Sequence, residues 1–152
     1  MKANKQNKEL VNELNKLVEI NNDRIQGYKT ALKETEDYDL KELFKRMIDH
    51  SFNFKNELAD EIMKAGGEPT QGTATSGKIY RAWMDVRAAL SQKDRKAIVS
   101  SCEYGEDAAL ERYDEVLKDE DMSIVVHKML KHQKELLQQD HNSIKVLRDS
   151  LK

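Results

Sequence analysis

Apolar residues recur at alternating steps of three and four along most of this 152-residue chain. This spacing places them on one face of an α-helix, and it predicts four long helices over about residues 8–35, 39–65, 93–118 and 123–151. Because each helix has one apolar face, we expect the four faces to be buried against one another. The predicted inward positions are Leu10, Leu14, Leu17, Asn21, Arg24, Tyr28 and Ala31; Leu40, Phe44, Met47, Ser51, Phe54, Leu58 and Ile62; Ile98, Cys102, Gly105, Ala109, Tyr113 and Val116; and Val126, Leu130, Gln133, Leu137, His141, Ile144 and Leu147.

The second and third helices are separated by a loop-like stretch. The run GGEPTQGTATSG at 66–77 holds four glycines and the only proline, and Ser76 is the predicted N-cap of a short crossover helix over about 77–91. This connection of about 27 residues is much longer than the 2 to 8 residues usual between antiparallel neighbours. The sequence therefore predicts an all-α, single-domain four-helix bundle over 1–152 with ferritin-like topology, in which a long, partly helical crossover joins parallel helices two and three.

Composition narrows the class of protein. Charged residues make up 36% of the chain and aromatic residues 6%, which suits long amphipathic helices. The net charge of -2 favours no nucleic-acid partner. Cys102 is the only cysteine, so we expect a reducing compartment and a core role for that thiol. The start MKANKQNKEL has no apolar signal region and no run is apolar enough for a membrane span, so we expect a soluble, cytoplasmic protein.

Several ionisable residues stand where the pattern predicts core. Glu106 lies at the edge of the third inward face, and Glu103 flanks it. A carboxylate there must be paired, hydrogen-bonded, metal-bound or protonated, because desolvating an unpartnered charge costs several kcal/mol or more. Counting about 1.5 Å per residue through the predicted topology puts charged side chains from all four helices at one level, within about one turn. They are Arg24, His50, Glu103, Glu106 and His141.

One interpretation of this level is a structural network that sets helix register and contributes little net stability. In it, Arg24 pairs with Glu106 or Glu103. The remaining donors and acceptors are supplied by Asn21, Tyr28, His50 and His141.

A second interpretation is an iron, manganese or zinc site in the bundle core, with Glu103, Glu106, His50 and His141 as candidate ligands. The spacing argues against a dinuclear centre, which needs Glu-x-x-His on two helices. The residues three positions before the four histidines are Met47, Ile124, Met129 and Gln138, none of them acidic. An inward Arg24 would also repel a cation. The pattern leaves the direction of Arg24 open, because Ile20 and Ile25 flank the polar positions and a slightly rotated helix would bury less charge. A third interpretation is a small-ligand or proton-coupled site.

The crossover helix is predicted to have two different sides. Trp83 is expected to seal the helix onto the bundle. Gly27 and Gly105, the two glycines inside long helices, indicate either close helix approach or room for a bulky neighbour. The opposite side is a candidate partner surface formed by Tyr80, Arg81 and Met84.

Four runs of the sequence resemble an uncharacterised bacterial family that is grouped with the ferritin-like superfamily as a domain of unknown function. The runs are NNDRIQGY at 21–28, GGEPTQGTATSGKIYRAWMD at 66–85, KDRKAIVSSCEYGEDAALERY at 93–113 and HNSIKVLRD at 141–149. The resemblance implies a ferritin-like bundle and no established activity. It also selects as candidate site residues Asn21, Arg24, Tyr28, Glu103, Glu106, Asp107 and His141.

The predicted function is that of a non-enzymatic, stress-associated cytoplasmic bundle whose polar layer is structural, which binds no cofactor and which forms a homo-oligomer. The alternative is a metal-dependent redox or storage protein with an atypical Glu/His site.

Overall fold

The computed structural model describes residues 2–75 and 77–151, with side chains from residue 7 onward, and the predicted N-cap Ser76 lies outside these residues. The described chain forms five helices and no strand, so the all-α prediction is confirmed. The first helix begins well before the predicted residue 8, because residues 2–7 contain neither glycine nor proline. The helices are α1 (Lys2–Glu34), α2 (Tyr38–Lys64), α3 (Gly77–Gln92), α4 (Arg95–Leu117) and α5 (Ile124–Ser150).

Contacts between side chains establish the helix directions. Asn21 of α1 bonds Tyr113 of α4, whereas Arg24, one turn later in α1, bonds Glu106, two turns earlier in α4. The two helices are therefore antiparallel. Helices α1 and α2 are joined by residues 35–37 alone and pack along their length, so they are antiparallel too. It follows that α2 and α4 run in the same direction, which is why a long connection carrying α3 must link them.

Helix α3 packs against α1 and α4 through the indole ring of Trp83. A Cβ atom added at Gly27 would lie 2.2 Å from Trp83 Cε3, and one at Gly105 would lie 3.6 Å from Trp83 Cζ2. Only glycine at position 27 lets the ring lie this close to the α1 backbone. Tyr28 meets the same ring edge to face, with 5.0 Å between centroids. The predictions that Trp83 seals α3 onto the bundle and that Gly27 leaves room for a bulky neighbour are confirmed. At Gly105 an added Cβ would make only ordinary contacts with Trp83 and Ala82, so the ring does not require glycine there.

The segment between α2 and α3 is held against α1 by three polar side chains of that helix. The Asn15 side chain accepts a hydrogen bond from Thr70 N at 2.9 Å, and Asn22 Nδ2 donates to the Thr70 carbonyl at 3.3 Å. Asp23 Oδ2 accepts from Ala74 N at 3.0 Å. These bonds satisfy backbone groups that no helix or sheet serves, so the loop has a defined path along α1.

The core contains most of the predicted inward positions. On α1, both Asn21 and Arg24 are fully buried. The main exception is on α5, where His141 is only partly buried and Asp140 occupies the core position instead. The steps of four and three that begin at Val126 lead to residue 140 when they are continued in strict alternation, and the predicted set departed from that alternation.

Candidate functional site

The centre of the bundle holds an ion network built on Arg24. Its guanidinium donates through Nε to Glu106 Oε2 at 2.9 Å and through Nη2 to Glu106 Oε1 at 2.7 Å. Nη2 also donates to Asp140 Oδ2 at 3.1 Å. Arg24 and Glu106 are fully buried and Asp140 is 2% exposed. The bidentate geometry is that of an ionised arginine–carboxylate pair.

His50 connects this network to the surface. Its Nδ1 lies 2.9 Å from Asp140 Oδ2 and 3.0 Å from Oδ1, a position from which a protonated Nδ1 donates to the carboxylate. One quarter of the His50 side chain is exposed, more than for Arg24, Glu106 or Asp140. The network thus sets the one permanent positive charge of Arg24 against two carboxyl groups, with the His50 imidazole beside Asp140.

Burial dominates the acid–base properties of the groups around Arg24. It raises the pKa of the Glu106 carboxyl, while the Arg24 guanidinium opposes that rise. Burial is the largest single influence on Arg24 and by itself would lower its pKa, but the charge and hydrogen bond of Glu106 together with the influence of Tyr28 and Asp140 outweigh it, so the pKa is raised. Burial also raises the pKa of the Tyr28 hydroxyl and of the Cys102 thiol, so both stay neutral near pH 7. Cys102 is consequently a core thiol and no nucleophile.

A second polar layer, uncharged across most of its width, lies beside the ion network. Asn21 Nδ2 donates to Tyr113 Oη at 3.0 Å, and Tyr113 Oη donates to Gln133 Oε1 at 2.7 Å. Gln133 Nε2 donates to Glu57 Oε1 at 3.1 Å. On each of three helices, one residue of this layer lies seven positions from one residue of the ion network. Seven residues of helix rise about 10 Å, which is the separation of the two layers along these helices. The pairs are His50 with Glu57, Glu106 with Tyr113, and Asp140 with Gln133.

A third polar cluster lies at the outer edge of α4 and α5. His141 Nε2 is 2.6 Å from Asp107 Oδ1 and 3.9 Å from Glu103 Oε2. Glu103 also pairs with Arg148 through its other oxygen. About half of the Asp107 side chain is exposed, so this cluster meets water. It is separate from the Arg24 network in its contacts.

The structure divides the predicted site residues between these clusters. Arg24, Glu106 and His50 join one network, as the structural interpretation expected, and Asn21 lies in the neighbouring layer. Tyr28 is buried beside them and contacts the layer as expected: the Arg24 guanidinium lies over its ring, 5.8 Å from the centroid, and its hydroxyl opposes the rise that burial causes in the pKa of Glu106, although no hydrogen bond of ordinary geometry joins the two. Glu103, Asp107 and His141 form the edge cluster instead.

The four candidate metal ligands do not meet at one point. Glu106 is engaged by Arg24 and His50 by Asp140, whereas Glu103 and His141 belong to the edge cluster. Among the described residues, no group of three or more His, Cys, Asp or Glu side chains is arranged to hold a metal ion. The prediction that these residues share one height along the bundle carried an uncertainty of about one turn, and it did not specify in which direction around its helix each side chain points.

Sequence reasoning missed Asp140 altogether. It also placed Tyr113 and Gln133 in the core without recognising their bond to each other. The sequence did contain a signal for Asp140: steps of four and three, alternated strictly along α5 from Val126, place residue 140 on the inward face. An aspartate at such a position must find a cation or a donor, and Arg24 and His50 are its partners.

These features define an all-α helical bundle with two buried polar layers and no described helix long and apolar enough to cross a membrane. The chain belongs to a family described as a domain of unknown function, DUF2383, whose profile matches residues 9–119. The matched residues span α1 to α4 from Glu9 onward, so the α5 members of both layers lie outside them. A comparison with curated proteins finds no match.

Proposed function

We propose that this chain is a non-enzymatic, ferritin-like four-helix bundle whose polar layers are structural and whose function depends on its outer surface. The observation that carries this proposal is the closure of the Arg24 network. Both carboxylates face the one guanidinium in a site from which solvent is excluded except at His50. The five described cavities are lined by other residues. None of these five cavities opens onto the side chains of Arg24, Glu106 or Asp140.

The ferritin-like part of the proposal is supported by helix direction. Helices α2 and α4 run in parallel and are joined by a crossover that carries α3, which is the connectivity of one-crossover bundles. The two layers explain how this arrangement is specified. Each layer bonds one residue from each of α1, α2, α4 and α5, so a slip of any one helix breaks bonds in both layers.

The proposal includes a bacterial, cytoplasmic homo-oligomer. The single unpaired cysteine supports the location, because a reducing compartment keeps such a thiol intact. Self-association is supported by two adjacent apolar side chains left exposed at the start of α5, Ile124 and Val125.

Replacement of the whole ion network tests the structural role. We expect the variant Arg24→Met, Glu106→Leu, Asp140→Val to fold and to unfold in urea with a free energy within about 2 kcal/mol of the native protein, since buried ion networks contribute little net stability. Metal content of untagged protein, measured after loading with iron, manganese or zinc, should be below one ion per chain for both. Stoichiometric metal in the native protein that the variant loses would overturn the proposal.

The alternative, a metal-binding redox or storage protein with an atypical Glu/His site, has narrower support. Of its candidate ligands, only Glu103 and His141 approach each other, together with Asp107. A mononuclear ion at that edge would have to displace the contact between His141 and Asp107. The same metal measurement on a His141→Gln variant distinguishes this site from the Arg24 network.

A further inference from the structure

Helix α3 has a second face, besides the one that it buries against the bundle, on which two apolar side chains and one arginine remain exposed. Tyr80, Met84 and Arg87 follow one another at steps of four and three, and so share a face. Tyr80 is 40% exposed and Met84 44% exposed, whereas Trp83 on the packed face is 9% exposed. Large apolar side chains that stay exposed beside a groove on an already packed helix are typical of a binding surface.

This exposed face lines a groove between α3 and α1 with a volume of about 510 Å³. The base of the groove includes Gly27 and the edge of Trp83, and Thr73 and Ala74 of the connecting segment line one end. Pockets for small ligands commonly measure about 300 to 1,000 Å³ and combine apolar walls with a few polar groups. The groove matches that description in size and in composition.

Charge is distributed unevenly along the groove. Helices α1 and α3 advance in the same direction, because Asp23 contacts Ala74 and Gly27 contacts Trp83. Asp23 therefore lies at the end nearer Tyr80. Arg87 lies about 10 Å beyond Tyr80 along α3, and no described side chain forms an ion pair with Arg87. Lys29 of α1 also lines the groove, but its ammonium group lies over the Phe52 ring of α2, 5.2 Å from the ring centroid. The Arg87 end is cationic, and the walls between the two ends carry Tyr80 and Met84.

We propose that this groove binds a small aromatic anion, with its ring against Tyr80 and Met84 and its charged group at Arg87. Aromatic and thioether side chains favour contact with a flat ring. A guanidinium pairs with carboxylate, sulfonate or phosphate in a planar, bidentate manner. The carboxyl group of Asp23 at the opposite end disfavours an anionic group there. This inference does not depend on the proposed function of the polar layers.

The test is a titration of the full chain, followed by two-dimensional amide NMR, with two probes that represent two sources of such a ligand. The probe 8-anilinonaphthalene-1-sulfonate represents an aromatic acid, and adenosine monophosphate represents a nucleotide. Saturable shifts of Gln26, Thr73 and Met84 are expected with at least one probe. Arg87→Gln should weaken that binding at least five-fold, and the matched variant Arg81→Gln, an exposed arginine of α3 outside the groove, should leave it unchanged.

Each outcome bears on the proposal. Binding of the sulfonate alone assigns an aromatic acid, and binding of the nucleotide that is lost with uncharged adenosine assigns a nucleotide. The second variant Met84→Glu places a negative charge on the exposed wall and should abolish either signal without changing the melting temperature. The proposal is overturned by non-saturating shifts, by shifts centred elsewhere, or by equal losses in the Arg87 and Arg81 variants.

Discussion

Two glutamates three positions apart on α4 have different environments. Glu106 is fully buried and forms two hydrogen bonds with Arg24, whereas the Glu103 side chain is 12% exposed and pairs with Arg148 at the edge of α5. Three residues advance the helix by about 300°, so the two side chains differ in direction by only about 60°. This small rotation decides whether a carboxylate depends on one buried partner or can also use water.

Asp23 provides a third carboxyl environment for comparison with the two glutamates, because it is buried and no described cation pairs with it. It is 7% exposed, and its one described hydrogen bond comes from Ala74 N. Burial raises the pKa of Asp23 to about 6, and the Ala74 hydrogen bond only partly opposes that rise. Glu106 is thus buried and paired with a buried cation, and Asp23 is buried and unpaired among the described side chains. Glu103 is nearly as buried as Asp23 but is paired with Arg148, which is about one-third exposed.

The largest effect is expected for Glu106→Ala. Loss of this carboxylate leaves the buried Arg24 with Asp140 alone, and breaking a buried pair by removing one partner costs about 3 to 5 kcal/mol. The free energy of unfolding, measured in urea, should fall by that amount. The matched truncation Glu103→Ala on the same helix is the control. A loss below about 1 kcal/mol for Glu106→Ala would mean that Arg24 does not need its bidentate partner.

A smaller, pH-dependent effect is expected at Asp23. The folded protein holds the Asp23 proton more tightly than the unfolded chain, with a pKa of about 6 against 3.8. The stability contributed by this group is therefore fully present below pH 3.8 and is lost as the pH rises through 6. Relative to native protein, Asp23→Asn should gain roughly 1 to 1.5 kcal/mol between pH 5 and pH 7.5, because each pKa unit corresponds to about 1.4 kcal/mol.

Urea unfolding at the two pH values measures this gain, and Asp85→Asn, at an exposed carboxylate of α3, serves as the control. If Asp23→Asn and Asp85→Asn changed stability in parallel between the two pH values, burial of Asp23 could not be the cause.

The smallest effect is expected for Glu103→Ala. Its partner Arg148 is about one-third exposed, and water replaces such a contact readily. The melting temperature should change by less than about 4 °C, and 0.5 M salt should reduce the difference further. A loss as large as that of Glu106→Ala would show that the edge cluster holds α4 and α5 together, and that the contrast between the two glutamates is wrong.

The sequence indicated which side chains face the core better than it indicated which side chains bond to one another. The alternation of steps of four and three placed Asn21 and Arg24 on the inward stripe but left the direction of Arg24 open, and the structure buries both. The glycines at 27 and 105 indicated close helix approach or space for a bulky side chain, and at Gly27 the Trp83 ring occupies that space. On α5, the prediction took a step of four from Leu137, where strict alternation takes a step of three. The prediction therefore selected His141 and missed Asp140, although these neighbours face different parts of the molecule.

By itself, the sequence determined that this protein is helical, which faces are apolar and that charged residues must enter the core, because these properties depend on helix period and composition. Only the tertiary structure decided that Arg24 bonds Glu106 and Asp140, that His50 joins them, and that Glu103 belongs to another cluster. The reason is one of scale. Helix positions inferred from sequence are uncertain by about a turn, or 5.4 Å, whereas a hydrogen bond is made or lost within a few tenths of an ångström.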